Sequence, residues 1–238
     1  MKKAILLSLL SLLLSASALG QKAADKKPGC TLGINQSPEL RGFRMGMSQA
    51  AVLAQLPGVT VEKPDKFGLA RLRLSFVDAS AVIKTSTRDK GVQADMLAGA
   101  NEGSAFIIDS GKFPALKGIR RMQMRFIEGH LSYLQISYDD AIKWESIDQL
   151  IETVATTLKL PQEWKLPEDS DGSSQTKELR CEGFVLSASI GGDPTDIHAG
   201  PELVLQDPAA WNAMSKRQND LVEKAKQEAD EKRRKFKP

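Results

Sequence analysis

Between Leu69 and Val77 apolar and polar side chains alternate. Ala70, Leu72, Leu74 and Phe76 are separated by Arg71, Arg73 and Ser75. A period of two predicts a strand with one buried and one wet face, the habit of antiparallel sheets. The pattern returns in "RRMQMRFI", with Met122, Met124 and Phe126 in phase, and in "LSYLQISY", with Leu134, Ile136 and Tyr138 in phase. Glu128-Gly129-His130 separates these two runs, so they predict a β-hairpin. "RCEGFVLSASI" places Phe184, Leu186, Ala188 and Ile190 on one face of a further strand, and "ELVLQ" reads as the last. Residues 84–118 lack a clean period and read as a long excursion, with "AFIID" a short strand inside it. "LPEDSDGSSQTKE" reads as a polar loop.

Three segments switch to a helical period. Ser48 is the cap of a short helix over 48–56, with Val52, Leu53 and Leu56 on its apolar face and Pro57-Gly58 as its stop. Ser146 and Gln149 stand at capping-box spacing ahead of a helix over 147–159. Its stripe is Ile147, Leu150, Ile151, Val154 and Leu158; Pro161 ends it and Trp164 covers that end. Asp207-Pro208 starts a closing helix over 208–235. Trp211, Met214, Leu221, Val222 and Ala225 make its first half able to pack, and charge dominates its end. Within "RGFRMGMSQAAVLAQLPG", "GFRM" reads as a strand end and Gly46 as a sharp turn. Met47 reads as a staple against Ala51 or Val52, and Ser48 as the cap. This is a joint between elements rather than a reactive site.

These elements predict an α+β fold: an antiparallel sheet, or two small ones, with the two capped helices on one face and a charged helix projecting at the C-terminus. A capped helix, a Leu-Pro stop, a linker and a strand occur twice, at Leu56-Pro57 and at Leu160-Pro161. That repetition suggests tandem strand–helix–strand halves, 38–118 and 119–207, in a domain spanning 38–207.

The ends of the chain set its location. Lys2 and Lys3, an apolar run from Ala4 to Leu14 and small residues at Ala16, Ala18 and Gly20 have the form of a secretory signal peptide over 1–20. Cleavage near Ala18 to Gly20 is expected, giving a periplasmic or secreted protein. Residues 21–37, polar with Gly and Pro, read as a flexible arm. Formal net charge is +3, but it is unevenly spread. Residues 21–207 carry 22 basic and 25 acidic side chains, and 208–238 carry 9 and 5. The excess of cations sits at the two ends, which argues against a nucleic-acid partner. The tail over 226–238, with Phe236, reads either as a contact for an anionic membrane surface or as a solvated helix end. The two cysteines, Cys30 and Cys181, predict a disulfide in an oxidising compartment; the other reading is two free thiols.

Catalytic chemistry finds little to build on. The histidines are His130, in the hairpin turn, and His198, in "GGDPTDIHAG" with Asp193 and Asp196. They lie far apart without ligand spacing. Asp139-Asp140 end a strand. "DSDG" at 169–172 lacks the further ligands of a calcium loop. "GGDP" and "AGANEG" make no phosphate-binding pattern, and no cofactor is expected. The methionine stripe reads as core.

"LRGFRMGM", the hairpin from Phe126 to Leu131, Trp144 and "LPQEW" together resemble a group of secreted bacterial proteins that open on LRGFRxGM. That resemblance spans most of 38–206 and implies no activity. Gly46, Met47, Ser48 and Val52 are similar to the Gly-Met-Ser/Thr turn and helix of SmpA/OmlA-type outer-membrane lipoproteins and of β-lactamase-inhibitor-like domains. This second resemblance covers about seven residues. It implies short helices against an antiparallel sheet and a role in binding other proteins. The chain departs from those lipoproteins in lacking their lipidated cysteine and in its greater length, which fits a tandem arrangement. The expectation is an exported, non-enzymatic interaction module whose partner is another envelope or secreted protein. The alternatives are a hydrolase-like enzyme or enzyme inhibitor with 84–118 near a cleft, and a small-ligand or lipid-binding cup. A cleft uniting His198, Asp193 and Asp196 would mark the enzyme. An exposed apolar patch would mark the module, and a large apolar cavity the cup.

Overall fold

A computed structural model describes residues 29–77, 105–139, 144–167, 175–191 and 200–236. Residues 1–20, where a signal peptide is expected, residues 21–28 of the expected arm, residues 84–104 of the excursion, the "DSDG" loop and the loop holding Asp193, Asp196 and His198 lie outside the described residues.

The described residues form one α+β unit around a seven-stranded sheet. The strands are β1 (Leu69–Val77), β2 (Ala105–Asp109), β3 (Ile119–Ile127), β4 (His130–Tyr138), β5 (Thr176–Arg180), β6 (Val185–Ser189) and β7 (Glu202–Gln206). The helices are α1 (Gln49–Ala54), α2 (Ile147–Leu158) and α3 (Pro208–Lys235). The strand order is β2-β1-β3-β4-β7-β6-β5. Every pairing is antiparallel but one: β2 lies parallel to β1. A parallel neighbour needs a long connection, which residues 78–104 supply.

Alternation sorts the side chains. Ala70, Leu72, Leu74 and Phe76 of β1, Met122, Met124 and Phe126 of β3, and Leu134 and Ile136 of β4 enter one core. Leu203 and Leu205 of β7, and Leu186 and Ala188 of β6, continue it. Val52 and Leu56, with Leu150, Ile151, Val154 and Ala155, bring α1 and α2 onto this same face. Helix α3 packs on the other face: Ala210, Trp211 and Met214 meet Phe67, Leu69 and Ile127.

A symmetry runs through the order. One helix and three antiparallel strands (α1, β1, β3, β4) are followed by another such set (α2, β5, β6, β7), and the last strands of the two sets pair at the centre. This symmetry of order divides between β4 and α2. The expected boundary at 118/119 falls between β1 and β3, which bond over the length of the hairpin arm.

Several local expectations need correction. "GFRM" is not a strand end: Leu40 and Phe43 exchange both backbone hydrogen bonds, at 2.8 and 3.1 Å, across a two-residue turn. Arg41 and Gly42 occupy it at φ 57° and 93°. This is the mirror-image geometry of tight hairpins. Residues 29–37 are no loose arm. Glu182 N–H donates to Cys30 O and Gly183 N–H to Leu32 O, and Leu32 and Ile34 pack against the core. A Cβ on Gly183 would stand 2.0 Å from Ile34 N, so only glycine admits this approach. "TKE", the end of the stretch read as a polar loop, instead opens β5. Its Leu179 is buried, and its outer edge bonds Lys165 through Glu178. The excursion ends inside the fold, with β2 and then Leu116 buried. Lys159, in a left-handed conformation, stops α2 ahead of Pro161. Leu221 and Val222 are about half exposed, so α3 packs only through its first two turns.

Candidate functional site

The Gly46-Met47-Ser48 stretch sits where the sheet lacks a strand. Strand β7 pairs with β4 from Tyr133 onward, and the opening residues of β4 take the 46–49 segment instead. Gly46 N–H donates to Leu131 O, Leu131 N–H to Met47 O and Gln49 N–H to Gly129 O, each at 2.8 Å. Gly46 stands at φ 79° with open space around it, so backbone conformation alone requires glycine there. Ser48 Oγ accepts from Ala51 N–H at 3.2 Å and caps α1. Met47 is half-buried against the core, and its Sδ accepts from Arg44 N–H at 3.3 Å. The bonds recorded at this stretch are those of a joint: it closes β4 and starts α1.

The other singled-out residues stay apart. Cys30 and Cys181 form a buried disulfide, Cα atoms 4.4 Å apart, which pins the N-terminal arm to the β5–β6 turn. His130 is exposed, its Nδ1 3.1 Å from Glu128 O. Asp139 N–H donates to Gly118 O. Among the described residues no three His, Cys, Asp or Glu side chains converge as metal ligands. No helix among them is long and apolar enough to cross a membrane.

Two surfaces remain. The first is the sheet face away from α1 and α2. Arg71 of β1 lies directly opposite Arg125 of β3, Arg73 opposite Gln123, and Ser75 opposite Arg121. Four guanidinium-bearing side chains thus share two neighbouring strands. Directly opposed positions are about 5 Å apart, and like charges there oppose pairing. The patch is built onto aromatics. The Arg125 guanidinium lies 4.5 Å from the Tyr133 ring centroid and 5.4 Å from that of Trp211. Those two rings meet edge to face at 6.5 Å. Tyr133 O–H donates to Gln135 Oε1 at 2.8 Å, Gln135 Nε2 to Glu202 Oε2 at 2.7 Å, and Ser137 Oγ to the same oxygen at 2.9 Å. Burial raises the Tyr133 phenol above its ordinary pKa; Arg125 pulls it back and Glu202 adds to the rise. The alternation that makes these residues polar is plain in the sequence. Their convergence depends on a strand register that the sequence does not display.

The second surface is a groove of about 410 Å³ on the helix side. Leu40, Leu150, Val154 and Leu203 line it, together with Arg41, Tyr138 and Trp144.

No family model, curated protein or solved structure matches this chain. Function is therefore argued from these surfaces.

The cationic face and the groove lie on opposite sides of the sheet, so two occupants would not compete. The groove is concave, and its volume is ordinary for a small-ligand site.

Proposed function

We propose that this chain is an exported, non-enzymatic protein-interaction module, and that it meets another envelope or secreted protein on the sheet face opposite α1 and α2, beside the start of α3. The observation carrying this reading is the cross-strand pairing of Arg71 with Arg125, flanked by Arg73 and Arg121 and bordered by Tyr133 and Trp211. Opposed arginines cost folding stability. Arginine with aromatic neighbours is also the composition enriched at the centre of protein interfaces. A planar guanidinium matches carboxylates in two-point fashion, so the partner surface is acidic. The resemblance of Gly46, Met47, Ser48 and Val52 to domains that bind other proteins points the same way. The disulfide fits export.

Site-specific photocrosslinking in the native envelope tests this. With the crosslinker at Gln123, between the arginines, one reproducible adduct is expected. It should weaken with salt and disappear in Arg71→Glu. A crosslinker at Glu152, exposed on α2, should give no such adduct. Equal labelling from the two positions, or an adduct indifferent to Arg71→Glu, would overturn the proposal.

A further inference from the structure

We infer that the groove between the Leu40–Phe43 turn and α2 is a binding site for a single aliphatic chain ending in a carboxylate. Three observations carry this. The first is shape. The lining follows α2 from Leu150 to Leu158, a rise of about 12 Å, and the groove is thus elongated along the helix. Leu150, Val154 and Leu203, all buried residues, present apolar surface along it. That suits an alkyl chain better than a compact ring.

The second is the cationic residue of the lining. Arg41 is the first central residue of the tight turn and stands at φ 57°. A turn of this geometry favours Asn, Asp or Gly there, with Gly following, and Gly42 does follow. An arginine at that position is a poor choice for folding. Its side chain, however, lines the groove beside Tyr138: the guanidinium lies 5.4 Å from the Tyr138 ring centroid and donates to Ala115 O at 3.5 Å. A guanidinium has five N–H donors, of which that carbonyl engages one.

The third is charge. Glu39 also borders the groove. One carboxylate beside one guanidinium tolerates a monoanionic head but opposes a dianionic one, which selects a carboxylate over a phosphate monoester. The site is independent of the cationic sheet face and does not rest on the function proposed for it.

The test is calorimetric titration of the mature, disulfide-bonded chain with decanoate, decanol and decyl phosphate, each in monomeric solution. Decanoate should bind saturably at one per chain, tighter than decanol and than decyl phosphate. Arg41→Asn restores the residue that the turn prefers, so it should keep or raise the melting temperature. It should nonetheless weaken decanoate at least about ten-fold and leave decanol unchanged. Thr157→Trp, on an exposed position of α2 bordering the groove, should abolish binding of both while the near-ultraviolet dichroism stays folded. Absence of saturable decanoate binding would overturn the inference. So would a decanoate-to-decanol ratio unchanged in Arg41→Asn, full binding by folded Thr157→Trp, or decyl phosphate binding more tightly than decanoate.

Discussion

Tyr133 shows how much one residue takes from its surroundings. By sequence it is a polar position on an alternating strand. In the fold, Arg125 stacks on it, Trp211 meets its edge and Gln135 Oε1 accepts a hydrogen bond from its hydroxyl. Burial makes the phenolate unfavourable, so the folded pKa exceeds the unfolded value near 10. The sign follows directly. The unfolded chain loses this proton first, so the associated stability is full below about pH 10 and is lost as pH rises through the folded pKa. In Tyr138→Phe, which leaves Tyr133 as the sole tyrosine, phenolate absorbance should titrate above about 10 when folded and near 10 in denaturant. A folded midpoint at or below 10 would mean that the ring is open to water. Single residues also show where sequence reading succeeds. Ser48 and Ser146 were legible as caps because a cap is a local contact, made three residues along the chain. Even so, the expected capping box is only half formed: Gln149 Oε1 accepts from Glu145 N–H rather than from the cap residue.

Among the elements, α3 separates two ways of being helical. Asp207 caps it, accepting from Ala210 N–H at 3.0 Å, and Pro208 opens it. Its first turns are held by Trp211 against Tyr133 and Arg125, by buried Met214, and by the ion pair of Arg217 with Glu128. Beyond them the helix is exposed, with ion pairs such as Lys226–Glu223 within its own surface. Exposed pairs of that kind contribute little. Trp211→Ala should therefore cost about 2 kcal/mol, from the lost ring contact and cation–π stacking. Deleting residues 221–238 should change unfolding free energy by less than about 0.5 kcal/mol. Chemical denaturation of both variants decides this, and a large loss on truncation would place a packed partner along the distal helix. The helix was legible from its cap and its proline. The extent of its packing was not, because Leu221 and Val222 have the right character but stay half exposed among the described residues. Strand β5 is the opposite case. Its polar residues hide a strand whose edge is completed by Lys165, a partner distant in sequence.

Across the whole molecule, the disulfide closes the longest loop. Cys30 and Cys181 are 151 residues apart and hold the N-terminal arm on the β5–β6 turn. Constraining so long a loop in the unfolded chain stabilises by up to about 5 kcal/mol. Cys30→Ala with Cys181→Ala should lower unfolding free energy by about 3–5 kcal/mol, the range for removing a native bridge. Adding reductant to the double variant should then change nothing further. An unchanged denaturation midpoint would show the arm to be held by its backbone bonds and by Leu32 and Ile34 alone. The sequence by itself determined the strands that alternate cleanly, the three helices with their starts, and the α+β class, while polar β5 escaped it. Those depend on residue periodicity and on contacts a few positions apart. Only the tertiary structure decided that β2 runs parallel, that β4 and β7 meet at the centre, that Arg71 faces Arg125, and that Arg41 lines a groove along α2. Each of these is a matter of register or of long-range approach. The period of a strand says which side a residue faces, and nothing about which residue of another strand stands beside it.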